Sequence, residues 1–337
     1  MTRIGFLVNV VLVTLYGILV LMSPVLAADQ QPVTLRIAYI YAPDSGVGQA
    51  GTHYARLVQE RTNGKITVQI FPSSQLGSEI QNREALMTGT LDMCIIGVPH
   101  FAAFVPEVAM TDLPYFWKGP EHFLTFWRSP IGKDFTSRYE AATKIKVLAV
   151  NWLTSDRHIL AKKAVKTPAD LRGVKIRVTQ GFQHHYDGFL AMGASPVYMA
   201  FPEIYSALQQ GVIDAMENPL EDMYTSKFHE LAKYVSLTAH IFNSRTVQLN
   251  AQTWAKLTPE TQAVMTKAAE EAGEYQNEAV RKIVGDVKGK MAKEGITFVE
   301  PDRGAFAERV RQQAHPKYIA KYTNGQALYD QIQGLAK

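Results

Sequence analysis

Two arginines and an asparagine stand where the sequence could form a binding site for an acid. Arg157 follows the apolar run IKVLAVNWL, Arg177 lies within LRGVKIRV, and Asn218 closes the strand-like stretch DAMEN. An arginine presents a planar fork of N–H donors that fits both oxygens of a carboxylate, and an asparagine amide can add a further donor. Residues of these types at predicted strand ends are therefore candidates for carboxylate binding.

Each of the three residues also has a local alternative. Arg157 could pair with Asp156, Arg177 could be solvated or bridge to Asp170, and Asn218 could simply begin a turn with the proline that follows it. Residue type alone does not decide between these interpretations and the site.

The alternation of LRGVKIRV predicts a strand. Gly173 is expected to turn the chain into it, and Val174, Ile176 and Val178 are expected to face the core. Alternation then places Arg177 on the opposite face, either in solvent or aimed at a ligand.

The elements that position these residues follow an α/β pattern. Residues 35–40 (LRIAYI) predict a strand, residues 49–61 a helix with one apolar face, and Ile66–Phe71 a second strand after the turn TNGK. This strand–helix–strand order is typical of an α/β domain.

Two segments of the chain share a sequence pattern, here called the internal echo, which suggests two similar lobes. Residues 85–93 read ALMTGTLDM and residues 207–215 read ALQQGVIDA. In both, a helix is predicted to end at a glycine, Gly89 or Gly211, that can take the left-handed conformation. Two lobes form a cleft, and ligand sites favour such interfaces. The segments after the echo strands, 97–101 and 217–218, are therefore expected to face the cleft.

The tail of the chain is predicted to be helical. Thr258 is a plausible N-cap for a helix that continues to about residue 293. A short strand at ITFV and two further helical segments, from Arg303 and from Gly325, follow it.

Sequence patterns argue against several function classes. The 337-residue chain contains neither a G-x-S-x-G nor a G-x-x-x-x-G-K-[ST] motif, and its net charge of +4 does not suggest nucleic-acid binding. His184 and His185 are adjacent, so on regular structure they are not expected to share a metal ion as i, i+4 neighbours would. We therefore expect no enzyme activity, no cofactor and no metal.

The first residues predict export. Residues 4–26 carry no charge, and small residues follow at Ala27 and Ala28. This pattern is typical of a signal peptide, residues 1–27, cleaved near those alanines. An uncleaved anchor is the alternative, but the polar DQQP that follows favours cleavage. Cys94 is the single cysteine, so no internal disulfide is possible and a buried, inert thiol is expected.

Long motifs carry a family resemblance across about residues 33–332. They read FPSSQLGSEIQNREAL, VPEVAMTDLPY, TPADLRGVKIRV, MGASPVYMAFPEIYSALQQGVIDAMENPL and LTAHIFN. With these motifs the chain resembles the substrate-binding proteins of tripartite ATP-independent periplasmic (TRAP) transporters, of the dicarboxylate-binding type.

The resemblance implies an α/β, two-lobed periplasmic binding protein fold with a ligand cleft between the lobes and a long C-terminal helix. Lobe I is expected to comprise residues 33–153 plus 244–280, and lobe II residues 154–243 plus 281–332. Such a protein captures a small organic acid in the periplasm and delivers it to TRAP membrane permease subunits. We expect it to be a monomer.

The resemblance also implies site residues. Arg177 matches the arginine that clamps the ligand carboxylate, and Asn218 matches the asparagine beside it. Arg157 matches a second arginine that often touches the ligand, and Gln180 and Phe201 match pocket-lining positions more loosely.

Two departures from the family pattern bear on this site. Ser155 stands where the family usually has glycine, and Asp156 adds a negative charge next to Arg157. Whether Arg157 touches the ligand or pairs with Asp156 therefore stays open. Sialic-acid-binding members carry glutamate at the position of Gly97, which argues against that ligand.

The predicted pocket segments are aromatic. His100, Phe101, Trp152, Phe182 and Tyr224 are candidates to line the site. They fit an acid with an apolar or aromatic body at least as well as a small dicarboxylate. Two other functions stay open: a periplasmic lyase or isomerase on the same scaffold, and a ligand-sensing partner of a membrane receptor. The ligand and the permease's coupling ion are also left open.

Overall fold

The structure is a computed structural model and describes residues 30–336. The predicted signal peptide, residues 1–27, lies outside the described residues. Within residues 30–336, no helix combines the length and the apolar character needed to cross a bilayer.

The first of two sheets has five strands in the order β2-β1-β3-β10-β4. Its strands are β1 (Val33–Ala38), β2 (Ile66–Phe71), β3 (Met93–Gly97), β4 (Ile145–Leu153) and β10 (Ser244–Asn250). Strand β1 is parallel to β2 and β3, whereas β10 runs antiparallel to both of its neighbours. A late strand is therefore inserted into a sheet built from the first half of the chain.

The second sheet has six strands in the order β11-β9-β5-β8-β6-β7. They are β5 (Arg157–Ala161), β6 (Lys175–Thr179), β7 (Ser195–Met199), β8 (Ala215–Pro219), β9 (Tyr234–Ile241) and β11 (Thr297–Val299). Strand β6 lies between β7 and β8 and is parallel to both. Both edges of β6 are therefore paired with a neighbouring strand.

Thirteen α-helices lie within the described residues. They are α1 (Gly46–Arg61), α2 (Glu79–Thr88), α3 (Val108–Thr111), α4 (Pro120–Arg128), α5 (Pro130–Thr143), α6 (Gln183–Met192), α7 (Ile204–Gln210), α8 (Leu220–Thr225), α9 (Ala251–Ala255), α10 (Pro259–Lys293), α11 (Arg303–Gln313), α12 (His315–Ile319) and α13 (Gly325–Gln333). Short 3₁₀ turns span Val98–Ala103, Pro168–Leu171, Phe201–Glu203 and Phe228–Glu230.

Two short segments carry the chain between the sheets, residues 154–156 and residues 242–243. They lie side by side, since the Thr154 amide donates to the Asn243 carbonyl at 3.1 Å. Helix α10 also spans both sheets. Met265 in its first half packs in the core of the first sheet, and Met291 near its end packs in the core of the second. The fold is thus two-lobed with a narrow connection, as the resemblance implied.

Several predicted elements are confirmed. Strand β2 has the predicted bounds, α10 begins after the N-cap Thr258 and ends at Lys293, and both echo helices end at left-handed glycines, Gly89 (φ 77°) and Gly211 (φ 74°). Cys94 is buried, as expected. Strands β1 and β11 and helices α11 and α13 also fall where expected.

The boundaries of the lobes stay a prediction. The strands sort into the sheets along the predicted lines. The end of the chain, however, also contacts the first half, because Nε2 of His122 lies 2.7 Å from the Ile332 carbonyl oxygen. Helix α13, predicted for lobe II, therefore packs on a helix predicted for lobe I.

Candidate functional site

Strand β6 holds Arg177 in a fixed position. Gly173 turns the chain with φ of 73°, and Val174, Ile176 and Val178 are buried in the core, as predicted. On the opposite face of β6, however, Arg177 is not exposed to solvent, because only 2% of its surface is accessible. Its Nε donates to the Met199 carbonyl at 3.0 Å. The strand thus presents a buried guanidinium rather than a solvated one.

Arg177 differs from the other buried arginines of the described chain in its partners. Arg157 is paired with Glu217, and Arg245 lies 3.3 Å from Asp222. Within residues 30–336 no carboxylate forms an ion pair with Arg177, and its terminal nitrogens make no hydrogen bond. A buried charge without a partner is costly, so this guanidinium is suited to an anion that arrives from outside.

Arg177 lines a small cavity between the lobes. Its volume is about 20 Å³, which is room for roughly one water molecule. Both lobes contribute to the wall, which is formed by Ile40, Ser78, Glu79, Ile80, His100, Arg177, Thr179, Gln180, Ala200 and Phe201. A second cavity of about 180 Å³ shares Ile80, His100 and Gln180 with the first and lies on the side of helix α6.

The charges in this cleft are fixed by burial and by their neighbours. Burial lowers the pKa of Arg177 to about 10, so the guanidinium stays charged at neutral pH. Burial alone would raise the pKa of Glu79, but the hydrogen bond to His100 and the charges of His100 and Arg245 outweigh it and hold that pKa at about 2. A cation and an anion therefore face the same small space.

Asn218 supplies an unused donor in strand β8. Ile176 of β6 pairs with Ala215 of β8, and alternation from this pair puts Arg177 and Asn218 on the same face of the sheet. Asn218 is 2% exposed, and its Nδ2 has no hydrogen-bond partner in the described part of the chain. A buried amide without a partner is rare. Here it lies on the face that also presents the unpaired guanidinium.

Arg157 is held by Glu217 and not by Asp156. Its Nε and Nη2 both donate to the Glu217 carboxylate, the latter at 2.7 Å, and both side chains are buried. The arginine lowers the pKa of Glu217 although burial opposes this, and Glu217 raises the pKa of Arg157 despite the same penalty. The predicted alternative of an Asp156 pair is therefore wrong, since the guanidinium of Arg157 in β5 pairs with the carboxylate of Glu217 in the neighbouring strand β8.

A third arginine links the two sheets. Arg245 of β10 approaches Asp222, the third residue of α8, and its guanidinium lies over the Tyr41 ring at 4.6 Å from the centroid. Tyr41 in turn contacts the Phe201 ring at 5.9 Å. These contacts connect the first sheet to the helix that follows β8.

Comparisons with known proteins agree with this architecture. Residues 37–321 match the family described as bacterial extracellular solute-binding protein, family 7. The chain belongs to this family. It is 31% identical to the 2,3-diketo-L-gulonate-binding periplasmic protein YiaO of Escherichia coli K12 over 297 residues, which is 88% of this chain and 90% of YiaO.

Solved TRAP periplasmic solute-binding proteins superpose on this family 7 chain. One from Bordetella bronchispeptica, with density attributed to pantoate, has a TM-score of 0.85 at 32% identity and covers 90% of this chain and 100% of its own. Another from Roseobacter denitrificans, with bound L-galactonate, has a TM-score of 0.82 at 28% identity and covers 91% of this chain and 100% of its own.

The family 7 chain brings some of the predicted pocket residues to the cleft. Gln180, Phe201 and His100 line the small cavity with Arg177. Phe182 lines the larger cavity and meets the His100 ring edge-on at 4.7 Å.

Three aromatic candidates lie elsewhere. Trp152 is 0% exposed in the core of the first sheet and donates its indole N–H to the Ala269 carbonyl at 2.8 Å. Phe101 stacks on Tyr139 at 3.9 Å inside another core. Tyr224 hydrogen-bonds Glu294 beyond the end of α10. These three rings do not line the two cavities beside Arg177 and His100, so their part in the site stays a prediction.

Sequence reasoning missed the acidic members of the site. Glu79 follows the Ser78 N-cap of α2 and reaches the Gly97 amide at 3.1 Å. Its place in the quoted motif FPSSQLGSEIQNREAL was an available signal. Glu217 and Asp222 carried no comparable signal, because acidic residues are common and only the folded chain pairs them with arginines.

Proposed function

We propose that this family 7 protein captures a small organic acid in the periplasm and delivers it to a TRAP membrane permease. The observation that carries the proposal is Arg177, a buried and charged guanidinium with no carboxylate partner in the described chain. The acids named for the solved relatives, pantoate and L-galactonate, have the carboxylate that this group requires.

In this proposal Arg177 and Asn218 bind the carboxylate together. The terminal nitrogens of Arg177 donate to its oxygens, and the unpaired Nδ2 of Asn218 adds a donor from the next strand. A charge-assisted contact of this kind contributes about 1.5–3 kcal/mol. Micromolar affinity needs about 8 kcal/mol. Enclosure and contacts with the rest of the ligand must supply the difference. In this proposal Gln180 and Phe201, which line the cavity with Arg177, provide part of it.

We infer that the ligand is a polyhydroxylated monocarboxylate, the class to which L-galactonate belongs. Polar groups line the small cavity near Arg177, namely Ser78, Glu79, His100, Thr179 and Gln180. Carboxylate, amide and hydroxyl groups are suited to the hydroxyls of such an acid. An aromatic ligand is less favoured, because Trp152, Phe101 and Tyr224 do not line the two cavities described above.

Binding in this site requires the lobes to move. The described arrangement leaves only about 20 Å³ beside Arg177, walled by residues of both lobes, so an acid of several carbons reaches this point only when the lobes part. The two crossing segments beside Thr154 and Asn243 are short and adjacent, which is the arrangement of a hinge. The acid would enter with the lobes apart and be enclosed when they close.

A thermal-shift screen tests this function. The mature protein is heated with L-galactonate, D-glucuronate, pantoate, succinate or benzoate. Binding to the folded state raises the melting temperature by mass action, so at least one hydroxylated acid should give a shift that Arg177→Ala abolishes. If no acid shifts the wild-type protein, the proposal fails. Mass spectrometry of the recovered ligand separates capture from turnover, since capture leaves the acid unchanged.

A further inference from the structure

A second buried cluster lies outside the proposed carboxylate site. Asp112 follows helix α3, and His184 and His185 stand in the first turn of α6. Their potential ligand atoms all lie within 4.8 Å of one another, and all three residues are buried. Oδ2 of Asp112 is 2.8 Å from Nε2 of His184 and 2.7 Å from Nε2 of His185. Two imidazoles and one carboxylate thus converge on one point.

One member of the cluster makes no hydrogen bond. Neither ring nitrogen of His185 has a hydrogen-bond partner among the described residues, although the ring is 1% exposed. Its Nε2 is close to the Asp112 carboxylate but is not aligned for a hydrogen bond. A buried imidazole without a hydrogen bond is unusual, and its ring nitrogen is free to bind an additional ligand.

Adjacent histidines do not normally share an ion, and the sequence predicted that these two would not. The local structure changes this expectation. The preceding Phe182 adopts a non-helical conformation, so the two histidines stand in the first turn of α6. The Asp112 carboxylate then approaches from another element, which lets both Nε2 atoms reach the same oxygen.

We propose that Asp112, His184 and His185 bind one divalent transition-metal ion, with Zn²⁺ as the favoured ion. Two imidazole nitrogens and one carboxylate oxygen form a donor set typical of zinc, and three protein ligands leave a fourth position for water. The proposal stands apart from the carboxylate site and does not depend on it.

The surroundings support an ordered site. Nδ2 of Asn243, in a crossing segment, donates to Oδ1 of Asp112 at 3.2 Å and so orients the carboxylate. His184 also lines the cavity of about 180 Å³, which offers a path for the ion. A bound ion would fasten α6 to the segment after α3, next to the hinge. Through the Phe182 ring, 5.2 Å from His184, it would also steady one wall of the cleft.

Metal titration of the mature, tag-free protein tests this site. The protein is stripped with a chelator and titrated with Co²⁺, whose visible spectrum reports coordination, and then with Zn²⁺ in calorimetry. We expect one ion per chain, a tetrahedral cobalt spectrum and a higher melting temperature with Zn²⁺. Absence of stoichiometric binding to the wild-type protein would overturn the proposal, whatever the variants do.

Variants assign the ion to this cluster. His185→Gln and Asp112→Asn are each expected to weaken Zn²⁺ binding at least about tenfold. His229→Gln serves as the matched control, since His229 pairs with the Glu294 carboxylate and is not a member of the cluster, and it should bind like the wild type. Wild-type affinity in folded His185→Gln and Asp112→Asn would contradict the assignment. Circular dichroism checks folding, and His184→Gln replaces a variant that does not fold.

Discussion

At the scale of single residues, the buried guanidinium groups of Arg157 and Arg177 differ in their partners. Arg157 has Glu217 as a fixed partner in the chain, with two N–H donors on one carboxylate. Arg177 donates through Nε to a backbone carbonyl and leaves the rest of its fork unpaired. The first arrangement stabilises the fold, and the second suits a ligand.

Breaking the Arg157 pair should cost stability. Arg157→Met leaves the buried Glu217 carboxylate with only His240 as a partner, 3.4 Å away. Removing one member of a buried ion pair typically costs about 3–5 kcal/mol in the free energy of unfolding. Urea denaturation measures it. The double variant Arg157→Met with Glu217→Leu should regain most of the lost stability, because both buried charges are then removed.

The surface pair of Arg138 and Glu107 provides the control for this experiment. Arg138→Met removes an ion pair in which Nη2 donates to both Glu107 oxygens and the arginine is 41% exposed, and it should cost less than about 1 kcal/mol. A folded Arg157→Met protein of unchanged stability that no longer binds the acid would show instead that Arg157 is a ligand residue.

Asn218 should be sensitive to a change of charge. Asn218→Asp replaces the unpaired amide donor with a carboxylate that repels the ligand's own. We expect at least about tenfold weaker acid binding in calorimetry, a loss of about 1.4 kcal/mol. Asn63→Asp, in an exposed turn, is the control and should bind normally. Equal affinity in the two variants would remove Asn218 from the site.

The sequence predicted the strand around Arg177 but not its burial. Alternation correctly placed Val174, Ile176 and Val178 in the core. It did not decide whether the opposite face meets solvent or a ligand, because what covers that face comes from other parts of the chain. The family resemblance, and not the alternation, pointed Arg177 toward a ligand.

At the scale of elements, the sequence predicts where helices begin and end but not which distant residues pair. The capping residues Thr258, Gly89 and Gly211 act within one turn of their own helices, so the sequence predicts them. The pairing of Arg245 with Asp222 joins a strand of one sheet to a helix beside the other. Nothing near either residue in the sequence indicates that contact.

Helix α8 carries a carboxyl group whose protonation should affect stability. Burial, with the charge of Asp222, raises the pKa of Glu221 from its usual 4.5 to about 7, although Ser155 donates hydrogen bonds to it. The folded chain therefore holds this proton more tightly than the unfolded chain. The resulting stability is fully present below about pH 4.5 and is lost as pH rises through about 7.

Glu221→Gln tests this pH dependence. The variant cannot ionise, so its free energy of unfolding relative to wild type should rise between pH 4.5 and 7 and then level off. Denaturant titrations at several pH values measure the difference. Glu278→Gln, at an exposed ion pair on α10, should show no such rise. A flat difference for Glu221→Gln would contradict the raised pKa.

At the scale of the whole molecule, ligand capture requires two arrangements of the lobes. The described arrangement leaves about 20 Å³ beside Arg177, and Arg245 and Asp222 connect the lobes. A ligand of several carbons enters only if these contacts part. The sequence suggested two lobes through its echo and its family resemblance, but not how far the cleft is closed.

Asp222→Asn should make closure harder. It removes the negative partner of a buried Arg245, so the closed arrangement loses a favourable contact between the lobes. Small-angle X-ray scattering should show that the radius of gyration falls as acid is added, and that the variant needs more acid to reach the same value. Asp134→Asn, on the surface of α5, should behave like the wild type. A radius of gyration that ligand never changes would contradict the two-state account.

The central claim, that Arg177 receives the ligand's carboxylate, is tested most directly by calorimetry. The acid that gives the largest thermal shift is titrated into wild type, Arg177→Ala, Arg177→Lys and the exposed control Arg172→Ala. We predict that Arg177→Ala loses at least about tenfold in affinity and that Arg177→Lys recovers only part, because lysine lacks the planar fork. Arg172→Ala should bind like the wild type. Undiminished affinity in a folded Arg177→Ala protein would contradict the claim.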